Sequence, residues 1–246
     1  MTDGRDTFED GDAGDLSLSI RGVSVRAIDD PNTLALGLQT SRGTIAGLVH
    51  PVEGGTGAVI CVGGASGGLD GPAGGLYGRL PAMLAPAGVT VVRIDYRAPN
   101  ILDECVADVL AACSFLRGVG AADVVLLGHS FGGAVVIRAG EISPLVRGVA
   151  AMSPQRYGTL EVDELRAPLL LIHGTADTVL SSEASEDIYR RAQLPKRIVL
   201  FSDTGHSLIE ARDDIDALLA SWIPDRLAGL PDEPGREEIV PRPRAN

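Results

Sequence analysis

Residues 123–133, DVVLLGHSFGG, decide the fold of this chain. A short apolar run leads straight into the pattern Gly-x-Ser-x-Gly, and small residues that a helix accepts follow at once. A serine at such a strand-to-helix turn has its hydroxyl exposed beyond the strand end, where a nucleophile can act. The flanking glycines let neighbouring backbone segments approach closely. The stretch therefore predicts a strand, a sharp turn and a helix, with Ser130 as a candidate nucleophile.

A second stretch, residues 57–68 with the sequence GAVICVGGASGG, has the same pattern around Ser66. Here a long glycine-rich run, GGLDGPAGGLYG, follows the serine before any helix is predicted. Such a loop does not hold a serine in one strained conformation, so the strand–turn–helix context favours Ser130. No Gly-Lys-Ser or Gly-Lys-Thr follows these glycines, which argues against a phosphate-binding loop.

Length and charge limit the class of protein. With 246 residues, 45% of them hydrophobic, the chain can form one large domain with a substantial core. The formal net charge of −12 argues against nucleic acid and anionic membranes as partners. No apolar run approaches the roughly 18 residues of a membrane span, and the acidic start MTDGRDTFEDGDAGD lacks the order of a secretory signal. We therefore expect a cytoplasmic protein.

The three cysteines give no sign of a disulfide framework. Cys61, Cys105 and Cys113 are odd in number, stand in apolar or helical segments and form no C-x-x-C pair. They are predicted to be reduced core residues and not metal ligands.

Strand-like and helix-like segments alternate between two polar ends. Residues 1–15 and 231–246 are predicted to be flexible tails on either side of one domain at 16–230. The predicted strands, an antiparallel hairpin followed by continuous apolar runs, lie at 33–40, 43–50, 57–64, 89–96, 123–130, 146–153, 168–174 and 196–202. Helices are predicted at 75–87, 101–117, 131–140, 182–193 and 207–228. This order predicts an α/β protein whose mostly parallel sheet is covered by helices on both faces.

Two further polar residues follow predicted strands. Asp177 comes just after a strand in HGTADTVL, residues 173–180, and His206 follows the next strand in DTGHS, residues 203–207. A nucleophilic serine needs a base and a group that orients the base, and these residues can supply both. Asp203 is the alternative orienting acid, but it lies only three residues before His206 and would have difficulty reaching the imidazole.

With GHSFGG, HGTADTVL and DTGHS in this order, the chain resembles the α/β-hydrolase fold superfamily over residues 33–228. Within it, the chain is similar to small lid-less esterases and dienelactone-hydrolase-like enzymes. The resemblance implies a sheet of about eight strands, no cap domain, and Ser130, His206 and Asp177 as nucleophile, base and orienting acid. It implies no metal and no organic cofactor. Dienelactone hydrolases proper use a cysteine nucleophile, so Ser130 departs from that group.

The resemblance also implies an oxyanion hole made of two backbone amides. One amide belongs to the residue after the nucleophile, Phe131. The other belongs to the loop after the first central strand, where we assign Ala65. Gly63 stands where that loop often has a histidine, so Ser66 stays open as the alternative donor.

A short connection predicts an open substrate site. Only residues 154–167, PQRYGTLEVDELRA, separate two strands between which many family members carry a helical lid. By their position after strand ends, the predicted pocket residues are Ser66, Leu69, Tyr96, Pro99, Ser153, Tyr157 and Val179. Asp95 and Arg97 are predicted to pair with each other nearby.

These residues together predict a serine hydrolase that cleaves a small carboxylic ester or thioester through an acyl-enzyme. Three alternatives stay open: a peptidase or amidase, an acyltransferase, and a binding module on a hydrolase scaffold. No basic cluster surrounds the three residues, which argues against a strongly anionic substrate such as a coenzyme A ester. The sequence leaves the oligomeric state open.

Overall fold

A computed structural model describes residues 17–30, 32–232 and 234–241. In this part of the chain, ten strands form one sheet. They are β1 (Ile20–Ala27), β2 (Leu34–Thr40), β3 (Gly43–His50), β4 (Gly57–Val62), β5 (Val89–Asp95), β6 (Asp123–His129), β7 (Val146–Met152), β8 (Leu169–Gly174), β9 (Lys196–Phe201) and β10 (Arg236–Val240). The same residues form five α-helices: α1 (Pro72–Leu84), α2 (Leu102–Gly118), α3 (Phe131–Ile142), α4 (Glu183–Arg191) and α5 (Arg212–Leu227).

The order and direction of the strands determine which edge of the sheet can bind a ligand. The order is β1-β2-β3-β5-β4-β6-β7-β8-β9-β10, with antiparallel pairs from β1 to β5 and parallel pairs from β5 to β10. Crossover helices between the central parallel strands cover both faces of the sheet. The carboxyl ends of the parallel strands therefore meet at one edge, where open α/β sheets bind ligands.

Two apolar layers hold the central strands. Nearly every residue of β4, β6, β7 and β8 is buried. One apolar cluster lies between the sheet and helices α2, α3 and α4, and the other lies between the sheet and helices α1 and α5. Burial of this apolar surface is the main stabilising term in folding, so it also fixes the strand ends. The predicted fold class is confirmed, and the eight predicted strands correspond to β2–β9.

Strands β1 and β10, at the two edges of the sheet, were not predicted. β10 lies inside the segment 231–246, where we predicted a flexible tail, and the prediction is wrong for its five residues. They pair in parallel with β9 although most of their side chains are exposed. Because edge strands like these bury little apolar surface, their sequences carry a weak hydrophobic pattern. The tail predicted at 1–15 lies outside the described residues.

Helix α1 opens with a left-handed turn that the sequence did not reveal. Ala73, Gly74 and Gly75 have φ of 52°, 65° and 86°. Arg79 donates to the carbonyl oxygens of Ala73 (2.9 Å) and Gly74 (2.8 Å), and it also pairs with Asp216 of α5 (2.8 Å). The turn is thus fastened to α5. That helix begins at 212 instead of the predicted 207, after a short 3₁₀ turn, Ile209–Ala211.

The three cysteines lie in the core, as predicted. Cys61, Cys105 and Cys113 are free and buried, and burial raises the pKa of Cys105 and Cys113 to about 12. Among the described residues, no group of three or more His, Cys, Asp or Glu side chains is arranged to hold a metal ion. No helix in the same residues has the length and apolar character needed to cross a membrane.

The predicted pair of Asp95 and Arg97 does not form. Arg97 donates its backbone N–H (2.9 Å) and its Nε to Asp108 of α2, and its Nη2 to Glu104 (2.9 Å). Asp95 instead accepts the backbone N–H groups of Gly68 (2.8 Å) and Tyr96. The Asp95 carboxylate thus contacts the loop after β4, and the Arg97 side chain contacts α2.

Replacing Asp108 with alanine is expected to lower the free energy of unfolding by about 3 kcal/mol, because Arg97 would keep a buried charge with only one carboxylate partner. Asp108 is fully buried, and the Arg97 side chain is 6% exposed. Urea unfolding measures the change. Asp103→Ala is the matched control, since Asp103 is exposed on the same helix. Equal losses in the two variants would contradict the prediction.

Candidate active site

Ser130 sits on a strained turn between β6 and α3. Its φ is 58° and its ψ is −121°, a backbone conformation that residues with a side chain rarely adopt. The backbone N–H of Ser130 donates to the carbonyl oxygen of Met152 at the end of β7 (2.8 Å), and its own carbonyl accepts from Gly133 (3.0 Å). These bonds to neighbouring elements hold the strained residue in place.

The two glycines of the pattern are required by contact with other backbone. A Cβ on Gly128 would lie 2.1 Å from the carbonyl oxygen of Gly132, and a Cβ on Gly132 would lie 2.1 Å from that of Gly63. Both distances are too short for any side chain. The turn at Ser130 therefore packs directly against the loop after β4, which brings that loop to the serine.

The three residues picked out in the sequence form one hydrogen-bonded chain. His206 Nε2 lies 3.1 Å from Ser130 Oγ, and His206 Nδ1 lies 2.7 Å from Asp177 Oδ2. Each residue stands in a loop at the carboxyl end of a parallel strand: β6, β8 and β9. The Asp177 side chain is fully buried and the His206 side chain is 19% exposed. The imidazole is thus partly open to solvent, whereas the carboxylate behind it is not.

The carboxylate of Asp177 is held as an anion. The backbone N–H groups of Val179 and Leu180 donate to its Oδ1, both at 2.8 Å, and His206 contacts its Oδ2. Burial alone raises the pKa of Asp177, but the hydrogen bonds from Leu180, His206 and Val179 outweigh it, so the pKa lies below its usual value. The carboxylate that contacts the imidazole is thus Asp177. The alternative, Asp203, is exposed, and its backbone N–H donates to Thr175.

Two side chains, whose role here was not predicted from the sequence, hold the backbone carbonyl of His206 in place. His129 Nε2 donates to the carbonyl oxygen of His206 (2.9 Å), and the Ser153 hydroxyl donates to the same oxygen (3.2 Å). The rings of His129 and His206 lie 4.8 Å apart. Burial lowers the pKa of His129 to about 4, so this ring is neutral near pH 7. The Ala73 N–H, from the left-handed turn of α1, holds the carbonyl of Ser207 (2.7 Å).

The loop after β4 lies beside the serine. A Cβ on Gly64 would come within 3.6 Å of Ser130 Cβ. Residues 64–67 form a turn in which the Gly67 N–H donates to the Gly64 carbonyl (2.9 Å), and Ala65 and Ser66 are exposed at its tip. Phe131 is the first residue of α3, so its N–H has no acceptor within the helix. Both amides predicted for the oxyanion hole thus belong to segments next to Ser130.

Two of the predicted pocket residues, Tyr96 and Ser153, are buried. The Tyr96 side chain is buried, its hydroxyl donates to the Gly63 carbonyl (3.1 Å), and its ring packs edge-on against Phe131. Ser153 is fully buried against the His206 loop. These two residues pack against the loops that carry the site and do not line a substrate pocket. Both follow strand ends as predicted, but the packing of the loops turned their side chains inward.

The other predicted pocket residues keep surface positions at this edge. Pro99 is exposed, and its Cγ would lie 3.8 Å from a Cβ on Gly67. Tyr157 is 73% exposed and Val179 is 68% exposed. Leu69 is half-buried. Together with Ser66 they remain predicted substrate contacts.

The fold and this site define an α/β hydrolase. The sequence pattern of the Dienelactone hydrolase family matches residues 93–221, just over half of the chain, so the chain belongs to the dienelactone hydrolase family. That membership makes it an enzyme of the ester-hydrolase class. Comparison with curated proteins finds no match.

Solved structures share the fold. The dienelactone hydrolase from Anabaena variabilis is 19% identical with a TM-score of 0.66, over 81% of this chain and 96% of that one. The esterase domain of a Rhodothermus marinus protein is 21% identical with a TM-score of 0.63, over 79% and 98%. A serine hydrolase homologue from Coxiella burnetii is 18% identical with a TM-score of 0.65, over 76% and 95%. At these identities the likeness shows the α/β-hydrolase fold.

Proposed function

We propose that this enzyme is a serine hydrolase that cleaves small, uncharged carboxylic esters through an acyl-enzyme on Ser130. One observation carries the proposal: the unbroken hydrogen-bonded chain from Ser130 Oγ through the His206 imidazole to the Asp177 carboxylate. A hydroxyl within 3.1 Å of a neutral imidazole nitrogen can lose its proton to that nitrogen as it attacks a carbonyl carbon.

The acylation step follows from this geometry. As the Ser130 Oγ–C bond forms, the Oγ proton passes to His206 Nε2, and Asp177 stabilises the resulting imidazolium through Nδ1–H. The electron pair of the carbonyl moves to its oxygen, which the amides of Ala65 and Phe131 would hold, each worth about 3–4 kcal/mol. His206 then gives its proton to the leaving alcohol as the ester C–O bond breaks. The Ser130 acyl ester remains.

Deacylation repeats these steps with water in place of Ser130. A water gives one proton to His206 as it attacks the acyl carbon, and the same amides hold the second oxyanion. When the bond to Ser130 Oγ breaks, His206 returns the proton to Oγ. The products are an alcohol and a carboxylic acid, and the enzyme returns to its starting state.

The surroundings of the site favour small and uncharged substrates. In the described residues, the connection between β7 and β8 holds one short 3₁₀ turn, Val162–Glu164, and no cap domain covers Ser130. An open site gives a long acyl chain few walls to contact. Two arginines near this edge, Arg97 and Arg79, are already paired with carboxylates, and the net charge is −12. An anionic substrate would therefore meet an unfavourable potential.

A series of substrates tests the proposal. We expect the highest kcat/KM for p-nitrophenyl acetate and butyrate, a value at least about tenfold lower for the octanoate, and turnover of a small thioester. Faster cleavage of a p-nitroanilide than of the matching ester would point to an amidase instead. Adding butanol and measuring butyl ester would reveal an acyltransferase. No turnover, together with no labelling by a fluorophosphonate, would favour a binding module and contradict the proposal.

A further inference from the structure

A second imidazole, that of His173, contacts the carboxylate of Asp177. His173 Nε2 lies 3.1 Å from Asp177 Oδ2, the same oxygen that lies 2.7 Å from His206 Nδ1. The side chains of His173 and Asp177 are both fully buried. Water therefore does not compete for this contact, and a hydrogen bond in such a place is electrostatically strong.

The partners of His173 determine where its proton sits. Nε2 also lies 3.0 Å from the carbonyl oxygen of Leu180, and a carbonyl and a carboxylate both only accept, so Nε2 carries the hydrogen. Nδ1 lies 2.7 Å from the hydroxyl of Ser185 on α4, which is also fully buried. Burial lowers the pKa of His173, which keeps the ring neutral. Nδ1 then accepts the hydrogen of Ser185.

We propose that His173 is a positioning residue, which holds the Asp177 carboxylate in its orientation toward His206 and moderates the negative charge that His206 experiences. Asp177 Oδ1 is already held by two backbone amides, so the donor from His173 completes a set of four around the carboxylate. The role in catalysis rests on the proposed function.

Two physical effects follow from this arrangement. The hydrogen bonds of His173 tie β8, the loop after it and α4 together, which limits movement of the Asp177 side chain. The positive end of the His173 N–H dipole also points at Oδ2, so losing it would make the carboxylate more negative and stabilise the His206 imidazolium. Among the described residues, the titratable groups beside His206 are Asp177 from the β8 loop and His129 from β6, with His173 in contact with Asp177. The Glu210 carboxylate also lies close, since it accepts the N–H of Gly205 (3.2 Å).

NMR on the unmodified protein tests the arrangement without reference to activity. The chain has only four histidines, so ¹⁵N-histidine labelling gives four imidazole spin systems. We expect His173 to stay neutral with its proton on Nε2 between about pH 7 and about pH 8. A proton on Nδ1 alone, or protonation of the ring in this range, would overturn the proposal.

Two variants test the role. His173→Phe fills the space without a donor, and we expect kcat to fall by about 10- to 100-fold with KM nearly unchanged. The pH at which His206 titrates, followed by NMR and by the acid limb of kcat/KM, should rise. His173→Gln carries an amide nitrogen near the Nε2 position and should restore most of kcat and the original midpoint. Equal behaviour of the two variants, or an unchanged midpoint in His173→Phe, would overturn the proposal.

Ser185→Ala serves as a further variant, because it removes only the outer hydrogen bond and leaves the His173 donor in place. We expect it to keep the His206 midpoint and most of kcat. If His173→Phe does not fold, the pH midpoint of His206 in His173→Gln tests the proposal. A shifted midpoint in that variant would show that the glutamine amide does not replace the His173 donor, which would contradict the proposal. If the unmodified protein cleaves no ester, the proposed function fails, whereas the NMR midpoints still test His173.

Discussion

Replacing Ser130 with alanine should lower kcat for p-nitrophenyl acetate by about 10⁴- to 10⁶-fold. The change removes only Oγ, the atom that lies 3.1 Å from His206 Nε2, so neither the acyl-enzyme nor the proton transfer can form. Labelling by a fluorophosphonate should also disappear. Steady-state kinetics and mass spectrometry of the labelled protein measure the two effects. The residual rate reports what the amides and the bound substrate contribute without the nucleophile.

Ser66→Ala is the matched control for this variant. It makes the same chemical change in the second Gly-x-Ser-x-Gly stretch, at the exposed tip of the turn closed by Gly64 and Gly67. We expect labelling to persist and kcat to fall far less than in Ser130→Ala, since this change removes a predicted substrate contact but leaves the nucleophile in place. A label found on Ser66 would contradict the assignment of the nucleophile to Ser130.

Asp177→Asn should lower kcat by about 10⁴-fold near pH 7, because it forces the wrong tautomer on His206. The amides of Val179 and Leu180 both donate to Oδ1, so the asparagine oxygen has to take that position. Its NH₂ group would then face His206 Nδ1, which could only accept. The imidazole proton would move to Nε2, and Nε2 could no longer take the proton of Ser130.

Asp203→Asn is the control, since Asp203 lies three residues before His206 and was the alternative orienting acid. It is exposed and keeps its backbone contact to Thr175, so kcat should change by less than about threefold. The ¹⁵N spectrum of Asp177→Asn should show His206 with its proton on Nε2. A loss of activity in Asp203→Asn as large as in Asp177→Asn would contradict the assignment.

The parts of the site that could be predicted depend on local sequence. Ser130 is recognisable because strand, turn and helix follow one another within residues 123–133, and the steric demands on Gly128 and Gly132 come from backbone packed against that turn. Asp177 and His206 could be placed because each follows an apolar run long enough to be a strand. In a parallel sheet all such ends meet at one edge, so the topology alone brings the three loops together.

Other parts depend on partners that are distant in the chain. Tyr96 and Ser153 follow strand ends just as the three main residues do, yet their side chains are buried beneath the site. His173 lies at the end of β8, and the local sequence does not show that its Nδ1 contacts Ser185 of α4 while its Nε2 contacts Asp177. Arg97 pairs with Asp108 and not with Asp95, because α2 packs beside Arg97.

By itself, the sequence determined which residues end the parallel strands, and so which side chains can reach the reactive edge. Only the tertiary structure decided which of those side chains face the opening and which turn inward. It also decided that charged β10 joins the sheet. The reason is that strand ends follow from local burial and backbone sterics, whereas side-chain direction follows from contacts with segments far away in the chain.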